Sequence, residues 1–224
     1  AALIFLMSIF FRVSSVEVRG NSYYTAEEVE DASGIIDGDN LFFINRFSVV
    51  SRIVARLPYV ESVEITRYLP NKVVITISES QALACVSYEG EPWVIDRSCR
   101  MLTQASAANA ASLIEVRGIT PLTAEVGEVF ETGPDDTGKL EYLCAILDQL
   151  QERGMAADVG YIDMTNINSP SFSYLGRFIV KLGSFEETEY RFGKLLSAVS
   201  QLVDGDRGTI DVSPEGAQTV FSPF

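Results

Sequence analysis

The sequence predicts an α+β chain in two parts: a small strand-helix-helix-strand-strand module, then a larger α+β domain with an antiparallel sheet flanked by helices. Residues 57–80, LPYVESVEITRYLPNKVVITISES, set down a helix end, a strand, a turn and a second strand in succession. Apolar residues recur at helical spacing both before and after that stretch. A length of 224 residues with 47% hydrophobic content suits one large or two small domains with ordinary cores.

Ala1 to Phe11, AALIFLMSIFF, carries no charge. As a helix it reaches only about 16 Å against a hydrocarbon core of about 30 Å, so it cannot span a bilayer alone. The C-terminal part of a transmembrane helix, the core of a signal peptide and a buried strand compete as readings. A signal peptide calls for an upstream basic region and small residues at a cleavage site, whereas the chain runs directly into Arg12-Val13-Ser14-Ser15. The transmembrane remnant is the reading taken.

Val16 and Val18 alternate with Glu17 and Arg19, predicting a strand over 13–19 that Gly20-Asn21 ends. Thr25 and Glu28 have capping-box spacing, Tyr24 and Val29 are placed for a hydrophobic staple, and Gly34 offers a left-handed exit; together they predict a helix over 25–33. After Gly38 and the apolar Leu41-Phe42-Phe43-Ile44, a second helix is predicted from Phe47, Val50, Ile53, Val54 and Leu57, with Arg46, Arg52 and Arg56 on its other face. Pro58 stops it. In the hairpin that follows, Val63 and Ile65 share one face, and Val73, Ile75 and Ile77 repeat the period of two. Leu69-Pro70-Asn71-Lys72 suits a type I turn, because proline's fixed φ fits the second turn position.

Val16-Glu17-Val18-Arg19-Gly20-Asn21, Leu41-Phe42, Leu57-Pro58-Tyr59-Val60 and Leu69-Pro70-Asn71-Lys72-Val73-Val74-Ile75 with Glu79, in that order, resemble a POTRA domain. More narrowly, they are similar to the single POTRA domain of the bacterial division proteins FtsQ and DivIB, which follows directly on one transmembrane helix. The motif positions are Gly20, Asn21, Leu41, Phe42, Pro58, Val60, Pro70 and Glu79. One departure is visible: the family often continues Glu-Arg-x-Pro, whereas this chain reads Glu79-Ser80-Gln81-Ala82. The division expected is 1–11 membrane remnant, 12–80 POTRA domain and 81–224 FtsQ/DivIB-type β domain.

From Ala82, strands are predicted at Ala84 to Ser87 and Trp93 to Asp96 across a Glu89-Gly90-Glu91-Pro92 turn, with a third at Met101-Leu102. Gln104 to Ser112 reads as loop, Leu113 to Val116 as strand, and Gly118 to Gly127 as turns around Pro121. A helix after Asp135-Asp136 carries Leu140, Leu143, Cys144, Leu147 and Leu150 on one stripe, and Arg153-Gly154 ends it. Val159 to Met164 and Phe172 to Leu182 read as two strands. Ser184 with Glu187 predicts a capped helix whose stripe is Phe192, Leu195, Leu196, Val199, Leu202 and Val203, closed by Gly205. Gly208 to Val212, a Ser213-Pro214-Glu215-Gly216 turn and Ala217 to Phe221 read as two terminal strands.

A net charge of −14 without a Lys/Arg cluster excludes an electrostatic nucleic-acid binder. The absence of histidine removes His-dependent triads and most zinc sites. Cys85, Cys99 and Cys144 have neither CxxC spacing nor an even count; Cys144 reads as a buried hydrophobe, and Cys85 and Cys99 could meet only if their hairpin register allows it. Glu27-Glu28, Asp135-Asp136 and Glu186-Glu187 each fall in or just before a first helical turn, where the helix dipole explains them better than catalysis does. Trp93 with Tyr88 reads as the edge of a core. Arg46, Arg52 and Arg56 fit an ordinary solvated face, or a partner or lipid surface. No internal repeat or Walker-type motif occurs, and no metal or cofactor is expected.

The resemblance implies a non-enzymatic, single-pass membrane scaffold of the divisome at the septum, with most of the chain extracytoplasmic. Its implied partners are FtsL and FtsB/DivIC-type proteins, with a septal peptidoglycan synthase as a further one, and it would regulate septal peptidoglycan synthesis. Terminal strands within 208–224 would present an edge to a partner strand, through Ile210, Val212, Gly216, Ala217, Gln218, Thr219, Val220 and Phe221. Two alternatives are a POTRA subunit of an outer-membrane assembly or secretion machine, and a secreted histidine-free hydrolase.

Overall fold

The computed structural model describes residues 10–216 and 218–224. Nearly all of the apolar run at the N-terminus, together with Ala217, lies outside the described residues. Among those described, no helix is long and apolar enough to cross a membrane. The chain divides between Gln81 and Ala82 into two compact units.

The first unit has a three-stranded sheet, ordered β1 (Ser15–Arg19), β3 (Lys72–Glu79), β2 (Val60–Tyr68), with β1 parallel and β2 antiparallel to β3. The capping box forms at Thr25, Gly34 takes the left-handed exit, and between them runs α1 (Ala26–Ser33). The second helix, α2 (Arg46–Arg56), is rotated from the expected stripe: Val49 and Ile53 are buried, with Leu57 just after them, while Phe47 is 86% exposed and Val54 also faces out. Two apolar rows compete on this helix, and the arginines explain which one docks. Arg52 donates from Nε to the carbonyl of Ser33 at 2.8 Å and Arg56 donates to that of Asp31, so both cap the C-terminal end of α1. They are braces, not a free basic face. The hairpin connection also departs from type I, because the Leu69–Pro70 bond is cis.

The second unit is a nine-stranded sheet in the order β12-β11-β10-β9-β8-β7-β4-β5-β6. Its strands are β4 (Ala84–Tyr88), β5 (Glu91–Ile95), β6 (Met101–Gln104), β7 (Ile114–Arg117), β8 (Tyr161–Asp163), β9 (Ser171–Tyr174), β10 (Phe178–Lys181), β11 (Gly208–Asp211) and β12 (Val220–Pro223). The sheet is mixed, not antiparallel: β4–β7, β7–β8 and β10–β11 pair in parallel. The chain between each of these parallel partners leaves the sheet through a helix, α3 (Ala107–Ala110), α4 (Lys139–Glu152) or α5 (Thr188–Val199), as parallel neighbours require.

Four local expectations change here. The Gln104 to Ser112 stretch contains α3, capped by Ser106. The Phe172 to Leu182 stretch folds back as β9 and β10 around Leu175 and Gly176, both at positive φ. The capping box at Ser184 does not form: Glu187 precedes α5 with φ +62 and no side-chain cap, because Ser184 is engaged by Arg191 instead. Val203 lies beyond α5 and is exposed. Tyr142, Leu143, Ile146, Leu147 and Leu150 of α4 and Phe192 and Leu195 of α5 complete a core with Ile162, Phe172, Val180 and Ile210 from the sheet. All three cysteines are free, and Cys99 faces Cys144, not Cys85.

Candidate partner-binding edge

The last strands form an antiparallel pair in which Ile210 lies opposite Phe221 and Asp211 opposite Val220. Ile210 and Val212 are fully buried and anchor the pair from beneath. Phe221 meets Phe178 edge-on at 6.2 Å. At Gly208 an added Cβ would lie 2.3 Å from the carbonyl oxygen of Ser222, so only glycine lets β12 approach this closely.

Two buried cations on α5 brace the ends of neighbouring strands. Arg191 donates to the carbonyl of Leu182 at 2.7 Å and also to Ser184. Lys194 Nζ donates to the carbonyls of Val212 at 3.1 Å and Pro214 at 2.7 Å, where the chain leaves β11 for the terminal turn. Burial, followed by the charge of Arg191, holds the Lys194 ammonium below the ordinary lysine pKa. The sequence reading missed both residues, although charges lodged among the apolar positions of an amphipathic stripe were a visible signal.

The ladder gives the edge its polarity. The N–H of Phe224 donates to the carbonyl of Arg207 at 3.1 Å, which makes 207 and 224 a hydrogen-bonded pair. By antiparallel alternation Ser222 and Val220 also turn their backbone groups to β11, while those of Phe221 point outward; Pro223 has no N–H to offer. Before the strand, Gly216 sits at φ +71 in open space, Gln218 is exposed and Thr219 is half-buried. Val220 is 41% exposed. Between α5 and this pair runs a groove of about 610 Å³, lined by Tyr190, Lys194, Ser197, Leu202, Thr219 and Phe221.

The motif positions of the first unit have structural roles. Gly20 has φ +80, and an added Cβ there would lie 2.1 Å from the carbonyl oxygen of Ile77. Asn21 Nδ2 donates to the carbonyl of Tyr24 at 3.0 Å. The Glu79 carboxylate accepts the backbone N–H groups of Ser22, Tyr23 and Tyr24 at 2.7, 2.6 and 3.0 Å, tying the end of β3 to the loop before α1. Leu41 and Val60 are core, Phe42 meets Phe11 edge-on, Pro58 follows α2, and Pro70 is the cis residue of the hairpin. Of the acid pairs, Glu28 is engaged in the capping box and Asp136 pairs with Lys139. No cluster able to hold a metal ion occurs among the described residues.

A β-α-α-β-β module of this kind is a POTRA domain, and residues 11–80 match the family model described as POTRA domain, FtsQ-type. Over most of its length the chain is similar to the cell division protein DivIB of Clostridium tetani, with 28% identity over 216 residues, 95% of this chain and 80% of that protein. DivIB of Clostridium botulinum (strain Hall) is 25% identical over 224 residues, 95% of this chain and 86% of that protein. A shorter match is to the cell division protein FtsQ of Corynebacterium glutamicum, 31% identical over 85 residues, 38% of each chain. The POTRA match over residues 11–80 and the DivIB matches over 95% of the chain make it similar to the FtsQ and DivIB cell division proteins.

Proposed function

We propose that this chain is the extracytoplasmic part of a single-pass membrane protein. It works at the division septum as a non-enzymatic scaffold that holds FtsL and FtsB/DivIC-type partners and thereby regulates septal peptidoglycan synthesis. A partner strand adds to the outer side of β12, and the groove beside α5 receives side chains that accompany it. The observation that carries the reading is the outward backbone of Phe221 on the last strand of the sheet.

If the alternation is continued one residue ahead of β12, Thr219 takes the outward parity of Phe221. Thr219→Pro removes a donor from the docking edge without touching the pairs at Val220 and Ser222. Pull-down with an FtsB/DivIC-type partner should then fall about tenfold or more. Undiminished capture would put the partner on another surface. An outer-membrane assembly role is less well supported, since the relatives that match 95% of the chain are named as division proteins. No observation among the described residues favours the hydrolase reading.

A further inference from the structure

We propose that Cys99 and Cys144 form a reversible disulfide that locks the turn between β5 and β6 onto α4, so that this pair is a thiol-oxidation site of the second unit. The two sulfurs lie 2.6 Å apart, inside the distance at which nonbonded sulfurs pack, and their residues are 45 positions apart in sequence. Both thiols are reduced in the structure.

Rigid parts on each side hold this approach. The Asp96 carboxylate accepts the backbone N–H groups of Ser98 and Arg100 and the Nε of Arg100, all at 2.9 Å, while the N–H of Cys99 donates to the Asp96 carbonyl at 3.0 Å. With φ +60, Cys99 turns its side chain into the core and is fully buried. Cys144 lies beside Leu143 and Leu147 on α4, packed against the same core but reaching the surface at its edge. One helical turn later Asp148 pairs with Arg97 of the β5–β6 turn at 3.5 Å, so turn and helix are pinned at successive positions. Little backbone movement is needed for closure. Cys85 cannot compete: its neighbours Ala84 and Val86 belong to the core that contains Cys99, so Cys85 faces the other side of the sheet, where its thiol donates to the carbonyl of Ala110 at 3.7 Å.

The oxidant class is a low-molecular-weight disulfide. Burial pushes the Cys99 thiol up and keeps it protonated, so Cys144 meets the reagent first. Its thiolate attacks one sulfur of the disulfide, forming a mixed disulfide and expelling one thiolate, which takes up a proton. Cys99 then gives up its proton to solvent and attacks the Cys144 sulfur, expelling the second thiolate. Two protein thiols are oxidised and one disulfide is reduced to two thiols.

The test is to equilibrate the full chain in glutathione buffers from fully reduced to fully oxidised, map the cysteines by peptide mass spectrometry and record thermal unfolding. The expected result is one intramolecular Cys99–Cys144 link, a Cys85 outside it, and a melting temperature raised by about 10 °C over the reduced protein. Cys85→Ser should keep that rise; Cys99→Ala and Cys144→Ala should each melt at the same temperature in oxidised and reduced buffer, whatever the cost of the substitution itself. A stable glutathione adduct on Cys144 with Cys99 left free would overturn the proposal, as would a link through Cys85 or a link that brings no rise in melting temperature.

Discussion

The nine-stranded sheet is closed at one side and open at the other. At the β6 side the chain returns to cover its own edge: the N–H of Met101 donates to the carbonyl of Glu128 at 2.9 Å, the N–H of Gly127 donates to the carbonyl of Met101 at 2.7 Å, and Arg100 bridges to Val129. At the β12 side, no segment among the described residues pairs with the outer face of the strand. An exposed edge is a standing template for another chain, and proteins usually blunt such edges. Here one edge is blunted with a dedicated segment while the other keeps an outward amide at Phe221. The open edge is therefore a distinguishing feature of this sheet, and it is where a partner strand is proposed to add.

The largest way to break this contrast is to uncover the closed side. Gly127→Pro removes the N–H that bonds Met101 and cannot adopt φ +88, so the second unit should lose about 3 kcal/mol or more in chemical denaturation. Light scattering should then show self-association through β6; a stable monomer would mean that the cover is dispensable and the two sides equivalent. A smaller effect loosens the open side alone. Lys194→Met leaves the carbonyls of Val212 and Pro214 without their donor, costing about 1–3 kcal/mol. Amide exchange should speed up at Val220 and Ser222 but not at Met101.

The smallest effect is a pH dependence of the closed side. Asp136 accepts the N–H of Thr120 at 2.8 Å and pairs with Lys139, anchoring the base of the excursion that carries Gly127 to Val129. Burial alone would raise its pKa, but the hydrogen bonds from Lys139 and the Thr120 N–H, with the Lys139 charge, outweigh burial and hold it below the ordinary 3.8. A depressed carboxylate contributes stability that is fully present above the unfolded value and is lost as pH falls through the folded one. Met101 should therefore lose amide protection on acidification below about pH 3.8 before Val220 and Ser222 do. Asp136→Asn should remove that difference in order; an unchanged order in the variant would assign the acid response to another group.

The parts of the fold that could be read from the sequence are those set by local chemistry. Thr25, Glu28 and Gly34 specify α1 through contacts within a few residues, and at Gly20 only glycine fits beneath the Ile77 carbonyl. The features that escaped depend on distant partners. The docking row of α2 is chosen by where Arg52 and Arg56 reach on α1, and the parallel pairings of β7 and β8 by how α4 crosses the sheet. At the candidate site, the apolar anchors Ile210, Val212 and Phe221 could be read from alternation, but the start of β12 at Val220 could not, because it is set by the register with β11. The charge of Lys194 among the apolar positions of α5 is visible in the sequence, but its partner is not, because that carbonyl lies twenty residues away.

Backbone amide exchange resolved at single residues, with and without an FtsB/DivIC-type partner, tests the central claim most directly. In the free protein the ladder predicts protection of the Val220 and Ser222 amides by β11 and free exchange at the Phe221 amide. Binding should protect Phe221 and leave Met101 at the covered edge unchanged. A partner that binds while the Phe221 amide exchanges as fast as before would contradict strand addition at β12.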